Sequence, residues 1–131
     1  MADHPNVDRL RQGYAAFAAG DLAAVGELFD PGIVWHSPGN NALAGDYKGL
    51  EAVIGFFGKL VEMTGGKFTQ EVHDVLANDE HGAVMVTGTG ERPDGRTWTG
   101  RSVHIWHLND GKATEFWLFN EDEAAADAFF S

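Results

Sequence analysis

Two spacings of apolar residues divide this chain. Between residues 5 and 19, Val7, Leu10, Tyr14 and Phe17 recur three or four positions apart, which predicts one face of a helix. Pro5 suits its first position and Gly20 the residue just past its end. Asp21 is placed to cap a second, short helix through Leu22, Val25, Leu28 and Phe29, with Asp30-Pro31-Gly32 as its stop. Residues 33–37 read as a short strand and 38–45 as a loop; Tyr47 and Lys48 add a small edge strand. Leu50, Val53, Ile54, Phe57, Leu60 and Val61 mark a third helix over 49–63, closed by Gly65-Gly66.

The period then falls to two. Residues 67–77, 83–92, 96–108 and 112–120 alternate as strands. Gly88 and Gly90 inside the second of them predict a bulge or a sharp bend. Asn120 is read as the cap of a tail helix over 121–130, with Glu123 three residues on. Three helices and a strand followed by an antiparallel meander predict an α+β fold with a strongly curved antiparallel sheet.

The last hairpin, Arg101 to Asn120, carries most of the information. Its Asn109-Asp110-Gly111 turn is flanked by two alternating runs. Strand geometry sorts Ser102, His104 and Trp106 onto one face with Phe116, Leu118 and Asn120, and Val103, Ile105 and His107 onto the other with Glu115, Trp117 and Phe119. Both faces bear large apolar groups, so both are expected to be covered: one lines a pocket, the other meets a partner subunit.

Composition narrows the function classes. At 131 residues the chain suits one domain with a real core. It has no cysteine, so disulfides, thiolate metal sites and cysteine nucleophiles are excluded. A net charge of −11 argues against nucleic acid and anionic membranes, which would repel the chain. No basic and apolar leader opens it and no run approaches a membrane span, so a cytoplasmic protein is expected. No phosphate-binding loop or metal-ligand spacing is present, so neither a cofactor nor a metal is expected.

Several segments together resemble the SnoaL-like and ketosteroid-isomerase-like group of the nuclear-transport-factor-2-like superfamily. These are the helix around Tyr14 with its Gly20-Asp21 break, Leu28-Phe29-Asp30-Pro31 through Trp35-His36-Ser37-Pro38-Gly39, Leu43-Ala44-Gly45-Asp46-Tyr47-Lys48-Gly49, and the terminal hairpin. The resemblance covers nearly the whole chain. It implies a curved sheet wrapped around helices as a cone, an internal pocket for a small apolar molecule, and dimerisation through the outer sheet face. Fold alone does not assign activity, since this one hosts isomerases, cyclases, dehydratases, epoxide hydrolases and binding proteins.

The resemblance also points to residues. Tyr14 falls on the tyrosine position of ketosteroid isomerases, Ser37 on the position of the aspartate base, and His104 on that of the second aspartate. Both carboxylates are missing, so ketosteroid isomerase chemistry is not expected. SnoaL-type cyclases pair a histidine in this part of the sheet with a carboxylate on the final strand. Here the matching inward positions, Phe116 and Leu118, are apolar, and only Asn120 is polar.

His104 and Tyr14 remain as candidate catalytic residues. An unperturbed imidazole titrates near pH 6.5, suited to acid–base work, and a tyrosine beside it would polarise a carbonyl. The plainer reading has His104 as a half-buried histidine bonded to Tyr14 or Ser102. Phe17, Trp35, Ser37, Phe57, Trp106, Phe116, Leu118 and Asn120 are expected to complete the pocket. His36 is read as outward-facing, opposite to Trp35 and Ser37, with a local bulge as the alternative that would turn it into the pocket, and Arg101 and Glu115 as a cross-strand ion pair. Three functions stay open: a cofactor-independent isomerase or cyclase acting next to a carbonyl, a small-molecule-binding protein, or a dimerising module whose pocket its own side chains fill.

Overall fold

The computed structural model describes residues 3–131. Helix α1 spans Pro5–Ala18 and α2 Leu22–Glu27; strands β1 and β2 span Phe29–Ser37 and Gly45–Lys48. Helix α3 spans Leu50–Thr64, strands β3 to β6 span Phe68–Ala77, His81–Glu91, Thr97–Asn109 and Lys112–Asn120, and α4 spans Glu123–Phe130. The strands form one curved, unclosed sheet in the order β2-β1-β6-β5-β4-β3. Helices α1 and α3 cover its concave face, so the fold is the expected α+β cone.

Local chemistry accounts for most boundaries. Asp21 accepts a bond from Ala24 N–H and so caps α2. Gly65, at φ +58°, ends α3 in the left-handed conformation that costs glycine least. The α4 cap is Asp122, whose carboxylate accepts from Ala125 N–H, and not Asn120, which belongs to β6.

Three details depart from the sequence reading. The sheet is mixed: β3 to β6 form the antiparallel meander, but β1 lies parallel to β6. Asp30-Pro31-Gly32 does not stop α2, which ends at Glu27 with Leu28 as its cap, so that Phe29 already belongs to β1. That tripeptide lies inside β1 as an irregularity between Phe29 and Val34, closed by Gly32 N–H donating to Asp30 Oδ1. Finally, Gly88 and Gly90 pair with β5 in unbroken register, so they make no bulge. Their missing side chains leave room for rings. A Cβ on Gly88 would lie 2.8 Å from the Trp98 indole, and one on Gly90 2.9 Å from Phe129. Register shifts fall instead in β3, between Val72 and Asp74, and in the last hairpin, between His107 and Leu108.

The hairpin faces sort as parity requires. Trp106 and Phe116 are buried in the core, while Val103 and Phe119 stand 38% and 57% exposed on the convex face. Trp117 stacks on His36 on that outer side.

Candidate functional site

The cone encloses a cavity of about 130 Å³ between α1, α3 and the concave sheet face. Its wall is mostly aromatic. Trp35 lies flat on Phe116 with ring centres 3.6 Å apart, and Phe57 meets Trp35 edge-on at 5.0 Å. Phe17 packs on Phe57 at 5.4 Å. Ser37, Leu118 and Asn120 line the same cavity toward α4. All ten residues singled out from the sequence therefore border one space, because α1 carries Tyr14 and Phe17 on its inward face, α3 carries Phe57, and strand parity turns the rest inward.

Polar atoms in this wall converge on Tyr14. Trp106 Nε1–H, which can only donate, reaches Tyr14 Oη at 3.2 Å. Tyr14 Oη lies 2.5 Å from His104 Nδ1, and His104 Nε2 lies 3.3 Å from Ser102 Oγ. The result is a four-residue chain, Trp106–Tyr14–His104–Ser102, assembled from one helix and one strand. Two proton arrangements fit these contacts. In the first, the Tyr14 O–H donates to His104 Nδ1, and His104 Nε2–H donates to Ser102. In the second, His104 Nδ1–H donates to Tyr14, the Ser102 O–H donates to His104 Nε2, and the Tyr14 O–H is free to turn toward the cavity.

The chain is electrically neutral. Burial pushes the His104 imidazole from its usual 6.5 down to about 3. Burial likewise raises the Tyr14 hydroxyl well above its usual 10, against a smaller lowering by the Trp106 bond. The phenol keeps its proton and the imidazole declines one. His104 is thus not the base titrating near pH 7 that its unperturbed pKa implied; desolvation of a 5% exposed ring decides this. The plainer expectation is a half-buried histidine bonded to Tyr14 or Ser102; the ring is instead 5% exposed and reaches both.

Outside the cavity, His36 faces away from Trp35 as expected. Its Nδ1 lies 2.7 Å from Asp46 and its Nε2 2.6 Å from Glu115. Arg101 and Glu115 do not pair. Arg101 binds Glu121 at 2.6 Å, and Glu115 is taken by His36, with His107 3.8 Å from its other oxygen. Among the described residues no three His, Asp or Glu side chains are placed to hold a metal ion. No helix among them is long and apolar enough to cross a membrane.

The sequence reading missed several wall residues, among them Arg9, Asn41, Gln70 and Trp98. Arg9 was findable, since it lies in one i, i+4 row with Gly13 and Phe17. Asn41 sits in a loop without periodicity, and nothing local marks it.

Comparison with other proteins agrees with this architecture. An uncharacterized protein of Mycobacterium tuberculosis is 30% identical over 131 residues, covering the whole of both chains. The structure of Bal32a, from a soil-derived mobile gene cassette, superposes with a TM-score of 0.92 at 33% identity over 96% of each chain. An NTF2-like protein of unknown function from Burkholderia pseudomallei gives a TM-score of 0.86 at 24% identity, over 96% of this chain and 97% of that one, a likeness of fold alone. The SnoaL-like domain matches residues 10–116. The chain belongs to the SnoaL-like domain family.

Proposed function

We propose that this protein binds a small ring-bearing molecule in the cone, with a carbonyl or hydroxyl oxygen of the ligand held by the Tyr14 hydroxyl. The observation that carries the reading is the buried, uncharged Trp106–Tyr14–His104–Ser102 chain in an otherwise aromatic wall. A carbonyl oxygen offered to Tyr14 selects the second proton arrangement, in which Trp106 and His104 both donate to Tyr14 and its own proton goes to the ligand. The volume supports a compact ligand, since a cavity of about 150 Å³ holds a benzene-sized molecule. Larger polyketide-like skeletons need side chains to move.

Binding without turnover is the first reading, because a base whose conjugate acid has a pKa of about 3 holds a substrate proton poorly at pH 7. Catalysis of enolisation next to a carbonyl is the second reading, favoured by the 2.5 Å Tyr14–His104 contact, which couples a donor to an acceptor. One experiment separates the two. The protein is incubated with a panel of cyclic ketones in deuterated water, and NMR follows their α-protons while a parallel thermal scan reports binding. Raised melting temperature without exchange supports the binding protein. Catalysed exchange that is lost in His104→Gln supports the enzyme. No shift and no exchange across the panel refutes both.

We also propose that the convex sheet face pairs with a second copy of the chain. Leu76, Met85, Val103 and Phe119 are exposed there around half-buried Ile105 and Trp117. Such a contiguous apolar face is characteristic of an interface. Phe119→Glu is expected to give a monomer by light scattering where the wild type is a dimer; a monomeric wild type refutes the proposal.

A further inference from the structure

The cavity wall holds one charged side chain, Arg9, at the end opposite α4. Its placement is built in several layers. Arg9 begins the row Arg9, Gly13 and Phe17 that flanks the inward face of α1, so it reaches the cavity rim from the side. Its Nη1–H donates to Asn6 Oδ1 at 2.8 Å. Asn6 is only 2% exposed, and its amide is anchored by donating to the Asn78 and Asp79 carbonyls at 2.9 and 3.4 Å, so its oxygen is fixed toward Arg9. On the other side the guanidinium lies against Gly111 of the β5–β6 turn. A Cβ at Gly111 would meet Arg9 Cζ and Nη1 at 2.8 Å, so a side chain here would push the guanidinium out of place. Gly111 has φ +77° and borders the same cavity.

The second observation is what Arg9 lacks. The chain has twenty acidic and nine basic side chains, yet among the described residues no carboxylate lies within ion-pair distance of Arg9. A guanidinium has five N–H donors in a planar fork, and only one is engaged by Asn6. The remaining donors sit at the rim of an aromatic cavity in a protein whose other surface repels anions.

The geometry points to a carboxylate on the ligand: the cavity takes a ring acid, with the ring among the aromatic side chains and the acid group on the free fork of Arg9. This rests on the pocket reading above and adds the charge class of the ligand to it. Arg9 is itself exposed, so a carboxylate on it stays partly hydrated and the ring can be buried without burying the charge.

Two matched probe pairs test it: phenylacetate against phenylacetamide, and 3-phenylpropionate against 3-phenylpropanamide. Titration calorimetry and quenching of cavity tryptophan fluorescence both read the affinities. A charge-assisted contact to Arg9 predicts acids binding about tenfold tighter than the matching amides. The acid-to-amide ratio is expected to fall to about one in Arg9→Gln, to stay intermediate in Arg9→Lys, which keeps charge but not the fork, and to shrink with added salt. Amides that bind as well as acids in the wild type overturn the inference and leave the pocket reading standing. So does an acid preference that survives Arg9→Gln. Failure of all four probes removes the pocket reading and this inference with it.

Discussion

The depressed pKa of His104 makes a stability prediction that one substitution isolates. In the unfolded chain this histidine takes up a proton near pH 6.5; in the fold it stays neutral down to about pH 3. Between those values the unfolded state binds one more proton than the native state, so stability falls as pH falls. The slope is about 1.4 kcal/mol per pH unit, and from pH 6 to pH 4 the loss comes to about 2 to 3 kcal/mol. His104→Gln keeps a neutral hydrogen-bonding side chain and removes the titration. The measurement is urea unfolding of both proteins from pH 7.5 to 4, plotted as the difference between them so that every other group cancels. The wild type should lose ground against the variant steadily below about pH 6.5. A difference that stays flat over that range refutes the burial argument. So would an NMR titration placing the folded His104 midpoint near 6.5.

Other parts of the molecule make independent predictions. Tyr14→Phe strands Trp106 Nε1–H and removes the partner of His104 Nδ1, so it should cost about 2–4 kcal/mol in urea unfolding; a loss under 0.5 kcal/mol contradicts the chain. At His36 burial lowers the pKa, but the bonds and charges of Glu115 and Asp46 outweigh it, and the net shift is upward. Its contribution is therefore fully present below pH 6.5 and lost as pH rises through the folded pKa, the opposite sign to His104. The stability gap between wild type and His36→Gln, about 1 kcal/mol at pH 6, should shrink above that point. Gly39 sits at φ +94°, and a Cβ there would lie 2.3 Å from Asp127 Oδ1 and 2.4 Å from Glu123 Oε1. Both atoms are side-chain tips that can turn aside, so the φ of +94° dominates and Gly39→Ala is expected to cost about 1–3 kcal/mol, read as a drop in melting temperature; an unchanged midpoint refutes the strained backbone.

Sequence patterning was sufficient for whatever depends on neighbours along the chain. The α1 face, the Asp21 cap, the Gly65 stop and the inward and outward sets of the last hairpin follow from periodicity and turn chemistry. So does the gathering of Tyr14, Trp35, His104 and Phe116 on one cavity, once the family resemblance supplies the cone. Where the reading failed, the deciding partner was remote in sequence. Gly88 looked like a bulge because the ring it accommodates belongs to Trp98 on the next strand. Arg101 and Glu115 looked like partners until Glu121 and His36 proved nearer.

The sequence by itself determined the helices, most of the strands, the face each hairpin residue takes and the absence of a carboxylate at positions 37 and 104. Only the tertiary structure decided that β1 runs parallel beside β6, since no local signal encodes a pairing between strands some eighty residues apart. It alone decided the charge state of the site. A histidine's pKa depends on how much water the fold leaves around it, and burial turns the residue that looked like a base into a neutral link between Tyr14 and Ser102.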